Sequence, residues 1–139
     1  MIKSKIIILL LACGLSAFGQ FYQNHSHQKV TEMDTNKITN NIAKSAIEAW
    51  QQGNSDLWLS FFTEDAKLLD DGRIRNFKTF STEAIGHERF MSIDKVEDNG
   101  KSIYGQFHSD TWGDFKTYFK FHINQDRKIY QLEIGQADY

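Results

Sequence analysis

The chain has 139 residues, with 16 basic and 18 acidic side chains, a net charge of −2 and no proline. This length predicts one domain, and a hydrophobic fraction of 40% is enough for a core of its own. The small negative charge argues against binding to nucleic acids, whose phosphates require a basic surface. The only cysteine is Cys13, which excludes an intramolecular disulfide.

The first 19 residues have the pattern of a secretory signal peptide. Lys3 and Lys5 form a basic start, an apolar stretch follows, and Ala17-Phe18-Gly19 supplies small residues at the cleavage position. We therefore expect cleavage before Gln20 and a periplasmic or secreted protein. The apolar stretch is shorter than the roughly 20 residues of a transmembrane helix, so no membrane span is expected in the mature chain.

Two further features lie before the predicted domain. The segment Leu10-Leu11-Ala12-Cys13 is similar to a lipobox, so an alternative is a protein anchored through an acylated Cys13. Residues 20–34 are polar and lack hydrophobic periodicity, which predicts a flexible tether. We therefore place the domain at residues 35–139.

Helical periodicity dominates the first part of this domain. A helix is expected to start at Thr35 and to stop at Gly53, because glycine commonly follows a helix end. A second, short helix with a buried aromatic side is expected to end near Thr63-Glu64. The apolar stripe of the first helix, at positions separated by three or four residues, consists of Ile38, Ile42, Ala46, Ala49 and Trp50.

The pattern then changes to the alternation of strands. Residues 73–87 stay open between a loop and a short helix over 79–85. The turn signals are Asp70-Asp71-Gly72, Asp98-Asn99-Gly100 and Trp112-Gly113. Helices followed by hairpins predict an α+β fold. The expected strands are 66–69, 88–96, 102–108, 115–123 and 128–136, with Tyr130, Leu132 and Ile134 on one side of the last.

Two segments separated by four residues resemble the pattern of a known family. Trp50-Gln51-Gln52-Gly53-Asn54-Ser55-Asp56, followed by Phe61-Phe62-Thr63-Glu64-Asp65-Ala66, is similar to the pattern of the NTF2-like superfamily, which includes SnoaL-like and ketosteroid-isomerase-like domains. The resemblance extends over residues 35–136. It implies a cone, in which the N-terminal helices pack on a curved antiparallel sheet and leave a largely apolar cavity. The cavity lining that we expect from it is Trp50, Trp58, Phe61, Tyr104, Trp112 and Phe119.

The isomerases of this family need three groups, and the resemblance locates only one. The position of the catalytic base falls on Asp70, but those of the two proton donors fall on Ala46 and near Phe119. An enolate would have no preorganised stabilisation without these donors, so ketosteroid-isomerase activity is not expected.

Other acid–base chemistry remains open. Asp70 is a candidate base, although aspartate also favours such turns for its own backbone hydrogen bonds. His108 and Asp110 lie two residues apart and would share one face of a strand, as a general base beside a carboxylate or as part of an exposed face. The sequence contains no recognisable metal-ligand cluster, and no cofactor is expected.

Three functions therefore stay in view. The first is an exported domain that binds a small, mostly apolar molecule in its cone without turnover. The second is a SnoaL-like isomerase, cyclase or dehydratase that uses Asp70 with His108 or Asp110. The third is an association domain that forms a homodimer through its sheet. The direction of the stripe of Tyr104, Gln106 and His108 discriminates them, since an inward stripe favours chemistry and an outward one a partner.

Overall fold

Residues 33–139 are described by a computed structural model; the predicted signal peptide at 1–19, Cys13 and all but the last two residues of the predicted tether lie outside the described residues. The described part contains three helices, seven strands and one 3-10 turn at Asp98–Gly100. The helices are α1 (Asn41–Gln51), α2 (Ser55–Ser60) and α3 (Phe77–Ala84). The strands are β1 (Phe62–Asp70), β2 (Arg73–Arg75), β3 (Glu88–Phe90), β4 (Lys95–Glu97), β5 (Ser102–Ser109), β6 (Gly113–Ile123) and β7 (Ile129–Gln136).

The strands form one sheet in the order β2-β1-β7-β6-β5-β3, and β4 pairs with β5 beyond the end of β3. All pairs are antiparallel except β1 and β7, which run parallel. The predicted α+β class, with helices packed on a sheet, is confirmed. None of the helices in residues 33–139 is both long and apolar enough to cross a membrane.

Helix α1 begins later than predicted, at Asn41 rather than Thr35. The side-chain oxygen of Asn40 accepts hydrogen bonds from the backbone N–H groups of Ile42 (3.1 Å) and Ala43 (3.0 Å). This cap satisfies donors that have no partner inside the helix, so the helix starts here. Ile38 is buried in the turn that precedes it.

Helix α2 also differs from the prediction, because the chain becomes a strand before Thr63-Glu64. The carbonyl of Phe61 accepts a hydrogen bond from the N–H of Ile129 at 2.9 Å, and Phe62 already pairs with Ile129. Pairing with β7 therefore overrides the helical pattern. The segment that the sequence left open contains both β2 and helix α3, which Asn76 caps at the N–H of Thr79 (2.9 Å).

The strand expected at 88–96 is interrupted. It consists of β3 and β4, which both pair with β5, and the chain between them crosses close over Gly105. A Cβ atom on Gly105 would lie 1.9 Å from the carbonyl oxygen of Ser92, so only glycine allows this crossing.

The core lies between the helices and one face of β5, β6 and β7. Trp50 and Trp58 are fully buried at its centre, with their ring centroids 4.9 Å apart. The indole N–H of Trp58 donates to the hydroxyl of Ser81 at 3.0 Å, which joins α2 to α3.

Candidate functional site

A cavity of about 510 Å³ opens at the end of the sheet where β1 and β7 finish and where β3 begins. Helix α3 and strands β5 to β7 supply its apolar surface, and the strand ends and the β5–β6 turn supply its polar rim. The apolar surface consists of Phe80, Phe107, Phe115, Phe119 and Ile134. The remaining lining is Asp70, Asp71, Arg75, Glu88, Trp112, Asp114, Thr117, Gly135 and Gln136.

The aromatic floor of the cavity rests on Trp50. Its indole ring stacks on Phe80 at 5.7 Å between centroids, and it meets Phe119 edge-on at 5.4 Å and Phe107 at 6.4 Å. Phe107 and Phe119 share the inner face of the sheet because side chains alternate along each strand. The floor is therefore held from behind by close-packed aromatic rings, a preformed surface for an apolar molecule.

One side of the rim is an ion pair between neighbouring strands. Asp70 ends β1 and Arg75 ends β2, and the two-residue loop Asp71-Gly72 joins the strands with positive φ at both positions. Such a loop is a type I′ hairpin turn. The guanidinium of Arg75 donates to the carboxylate of Asp70 at 2.6 Å and lies 5.3 Å from the centre of the Phe80 ring.

The other side of the rim is Glu88, which the sequence did not single out. Glu88 begins β3 opposite Ser109 at the end of β5, and the Ser109 hydroxyl donates to its carboxylate at 3.0 Å. Burial of the carboxylate raises the pKa of Glu88, more than its hydrogen bond with Ser109 and the charge of Arg75 lower it. Glu88 is thus a half-buried acid that faces an aromatic floor.

The turn between β5 and β6 forms the outer lip. The Ser109 oxygen that serves Glu88 also accepts hydrogen bonds from the N–H groups of Thr111 (3.3 Å) and Trp112 (3.2 Å). Trp112 lines the cavity, yet 78% of it is exposed. The Trp112 indole is therefore positioned at the opening but exposed to solvent, so it is available to cover a bound molecule.

His108 and Asp110 lie outside the lining of this cavity. His108 Nδ1 lies 2.5 Å from a carboxylate oxygen of Asp114, and its Nε2 lies 3.4 Å from Asp110. His87 Nδ1 lies 3.2 Å from the other Asp110 oxygen, and this hydrogen bond is the main reason that the pKa of Asp110 is lowered. Of the three acid–base candidates, Asp70 lines the cavity, whereas His108 and Asp110 pair with groups beside it.

Only some of the residues expected to line the cone do line the cavity. Trp112 and Phe119 line the cavity. Trp50 and Trp58 are buried behind its floor, and Phe61 is half-buried against the core. Tyr104 is outside the lining: it alternates along β5 with the inward Ile103 and Phe107, and packs against Tyr118 and Lys95 on the opposite face. Of the six expected residues, Trp112 and Phe119 therefore line this cavity, and Trp50, Trp58, Phe61 and Tyr104 do not.

The cavity carries four carboxylates and one guanidinium but lacks the two proton donors of the isomerases. Ala46 is fully buried and Phe119 contributes only its ring, so neither position offers a proton. Within residues 33–139, no group of three or more histidine, cysteine, aspartate or glutamate side chains is arranged to hold a metal ion.

Comparisons with known proteins report on the fold. No protein-family model matches the chain, and no curated protein does. Among solved structures, an NTF2-like protein of unknown function from Cytophaga hutchinsonii superimposes with a TM-score of 0.57 at 10% identity, covering 78% of this chain and 94% of that one. A proposed polyketide cyclase from Xanthomonas campestris gives a TM-score of 0.54 at 16% identity, covering 75% and 93%.

A third neighbour is described with a ligand. The Orange Carotenoid Protein of Anabaena, in a structure binding canthaxanthin, gives a TM-score of 0.56 at 17% identity. The match covers 70% of this chain but only 35% of that protein. At these identities the likeness concerns the backbone, and it agrees with the arrangement of helices and strands described above. The chain therefore has an α+β fold similar to that of the NTF2-like protein.

Proposed function

We propose that this protein is an exported NTF2-like domain that binds a small, mostly apolar molecule in its cavity without catalysing a reaction. The observation that carries the proposal is the cavity with its aromatic floor of Phe80, Phe107 and Phe119. Its volume of about 510 Å³ lies within the roughly 300–1,000 Å³ that is usual for small-molecule sites. The canthaxanthin-bound neighbour is a precedent for an apolar ligand on this fold.

Binding without turnover is favoured by the kind of groups that face the cavity. The Asp70 carboxylate accepts a hydrogen bond from Arg75 at 2.6 Å, so one of its oxygens is already engaged and is not available to a substrate. The two donor positions of the isomerases carry the apolar side chains of Ala46 and Phe119. Export is supported separately, by the signal-peptide pattern of residues 1–19.

Binding is tested with a neutral apolar fluorophore, N-phenyl-1-naphthylamine, titrated into the purified protein. We expect saturable fluorescence enhancement that Ile134→Trp weakens at least about tenfold, because the larger side chain fills the cavity. The control is Ile74→Trp, at a side chain that is 84% exposed and outside the lining. Equal binding by both variants would contradict the proposed site.

Export and anchoring are tested by mass spectrometry of the N-terminus of the protein made in a bacterial host. A mature chain that begins at Gln20 is expected. An acylated Cys13 as first residue would favour the lipid anchor, and an intact Met1 would contradict export.

An acid–base enzyme is the second candidate, because two carboxylates, Asp70 and Glu88, line the same cavity. In this version Glu88 takes the place that we had considered for His108 or Asp110. Chemical conversion of a bound ligand, lost in Asp70→Asn or Glu88→Gln, would support an enzyme. Recovery of every bound ligand unchanged would speak against one.

A homodimer through the sheet is compatible with ligand binding. The stripe of Tyr104, Gln106 and His108 faces away from the core, the direction that favours a partner. Light scattering on the purified protein measures its oligomeric state. A strict monomer at high concentration would remove this candidate.

A further inference from the structure

The cavity rim has a pronounced excess of negative charge. Four of its lining residues are carboxylates, Asp70, Asp71, Glu88 and Asp114, and one is a guanidinium, Arg75, which gives a formal net charge of −3. No lysine or histidine is among the lining residues. A cleft with walls of low polarity concentrates the field of such charges, so its opening attracts cations and repels anions.

The one cation of the rim is already engaged. Arg75 donates to Asp70 at 2.6 Å, and its guanidinium lies over the Phe80 ring. An anionic ligand would have to displace the Asp70 carboxylate before it reached this guanidinium. The rim is therefore unsuited to carboxylates and phosphates.

Glu88 is the carboxylate with the least compensation. Asp114 is close to His108, and Asp71 accepts the N–H of Gln136 at 3.0 Å. Among the residues that the structure describes, Glu88 has one side-chain hydrogen bond, from the Ser109 hydroxyl, and the charge of Arg75 stabilises it only in part. Its raised pKa shows that burial costs this carboxylate more than its neighbours return. A ligand cation beside it would offset that cost.

The floor complements such a cation. Apolar rings of a ligand would bury their surface against Phe107 and Phe119. The Phe80 ring of the same cavity already lies 5.3 Å from a cation, the Arg75 guanidinium, which shows that its aromatic rings accept positive charge. Cations are attracted to the faces of such rings, most strongly to that of tryptophan, and Trp112 stands at the opening.

We infer that the cavity selects apolar amines, with the hydrophobic part of the ligand on the aromatic floor and a protonated nitrogen beside Glu88 at the rim. This inference rests on the proposed function and adds to it the chemical class of the ligand.

Three ligands of nearly equal shape test the inference: 1-naphthylmethylamine, which is a cation at pH 7, the neutral 1-naphthylmethanol, and the anion 1-naphthoate. Calorimetric titration is expected to give an affinity for the amine at least about tenfold above that for the alcohol, with the carboxylate weakest. Added salt should weaken the amine and leave the alcohol nearly unchanged.

Two variants assign the preference to the rim. Glu88→Gln keeps an oxygen that accepts from Ser109 but removes the charge, so it should bring the amine down to the affinity of the alcohol. The matched control is Glu83→Gln, on an exposed position of α3 outside the lining, which should change nothing. Asp70→Asn removes the negative charge that is paired with Arg75 and should improve binding of the naphthoate.

The outcomes distinguish the selection of amines from the proposed apolar cavity. Amine and alcohol affinities that are equal, or a naphthoate that binds as well as the amine, would overturn the selection of amines and leave the apolar cavity standing. An amine preference that survives Glu88→Gln would overturn the role of Glu88. Failure of all three ligands to bind would overturn both the inference and the proposed function.

Discussion

Gln51 is expected to be the most sensitive polar residue outside the cavity, because it closes the open edge of strand β3. Its side-chain oxygen accepts the backbone N–H of Phe90 at 2.8 Å, and its side-chain nitrogen donates to the carbonyl of the same residue at 3.0 Å. Phe90 pairs with Phe107 of β5 on its other side. The amide of Gln51 therefore acts as the missing neighbouring strand.

Gln51→Ala removes both hydrogen bonds and leaves two backbone groups of a residue that is 2% exposed without protein partners. Each such bond contributes about 0.5–1.5 kcal/mol, and an unsatisfied buried group adds to the cost, so the free energy of unfolding should fall by about 2–3 kcal/mol. In a domain of this size the melting temperature should then fall by roughly 10–20 °C. Urea unfolding followed by circular dichroism measures the loss.

The matched control is Gln52→Ala, at the neighbouring exposed glutamine, which should change the free energy of unfolding by less than about 0.5 kcal/mol. Glu88 lies two residues before Phe90 on the same short strand, so Gln51→Ala should also weaken ligand binding at the rim. A destabilisation no larger than that of Gln52→Ala would refute the reasoning, since it would mean that water replaces the glutamine at this edge without cost.

Three other predictions concern stability. Folding raises the pKa of Glu88 above its ordinary value of 4.5, so the charged form destabilises the folded protein above the folded pKa, and this destabilisation disappears as the pH falls to about 4.5. Glu88→Gln should therefore have a higher melting temperature than the wild type at pH 7 but not at pH 4. An equal difference at both pH values would contradict this. Gly105→Ala forces apart the carbonyl of Ser92 and strand β5, and should cost about 3 kcal/mol or more in urea unfolding; an unchanged midpoint would show that the crossing adjusts freely. Ser81→Ala leaves the buried N–H of Trp58 without its partner and should lower the free energy of unfolding by about 1–3 kcal/mol. Ser81→Thr keeps the hydroxyl and should lose less, and equal losses in the two variants would contradict the role of this bond.

The order of the helices and the faces of most strands were predictable from local patterns. Alternation along β5 assigns Ile103 and Phe107 to one face and Tyr104 to the other, and the structure has them so. In β7 the alternation places Leu132 and Ile134 on the buried side, as the structure has them, but it fails for Tyr130. A register shift opposite Ile123 turns Ile129 inward and leaves Tyr130 46% exposed, because a bulge inserts one residue and reverses the alternation after it.

The ends of elements were harder to predict, because their causes lie far away in the sequence. Helix α2 yields to a strand when Phe62 reaches Ile129, and β3 ends where the chain must cross Gly105. No window of neighbouring residues contains both partners of these contacts. Glu88 escaped notice for the same reason, since its burial depends on Ser109 and on the aromatic floor and not on any motif around it.

Asp70 shows how a turn and a site arise from one arrangement. The sequence offered two explanations for it, a residue favoured by the turn or a functional carboxylate. In the structure Asp71 and Gly72 make the turn, since both have positive φ, while Asp70 ends its strand with its side chain free to bind Arg75 at the cavity. The tight loop fixes the separation of Asp70 and Arg75, and β3 brings Glu88 to the same edge of the sheet. The turn chemistry that explains the sequence is therefore also what places the Asp70–Arg75 pair at the cavity, where it shares the opening with Glu88.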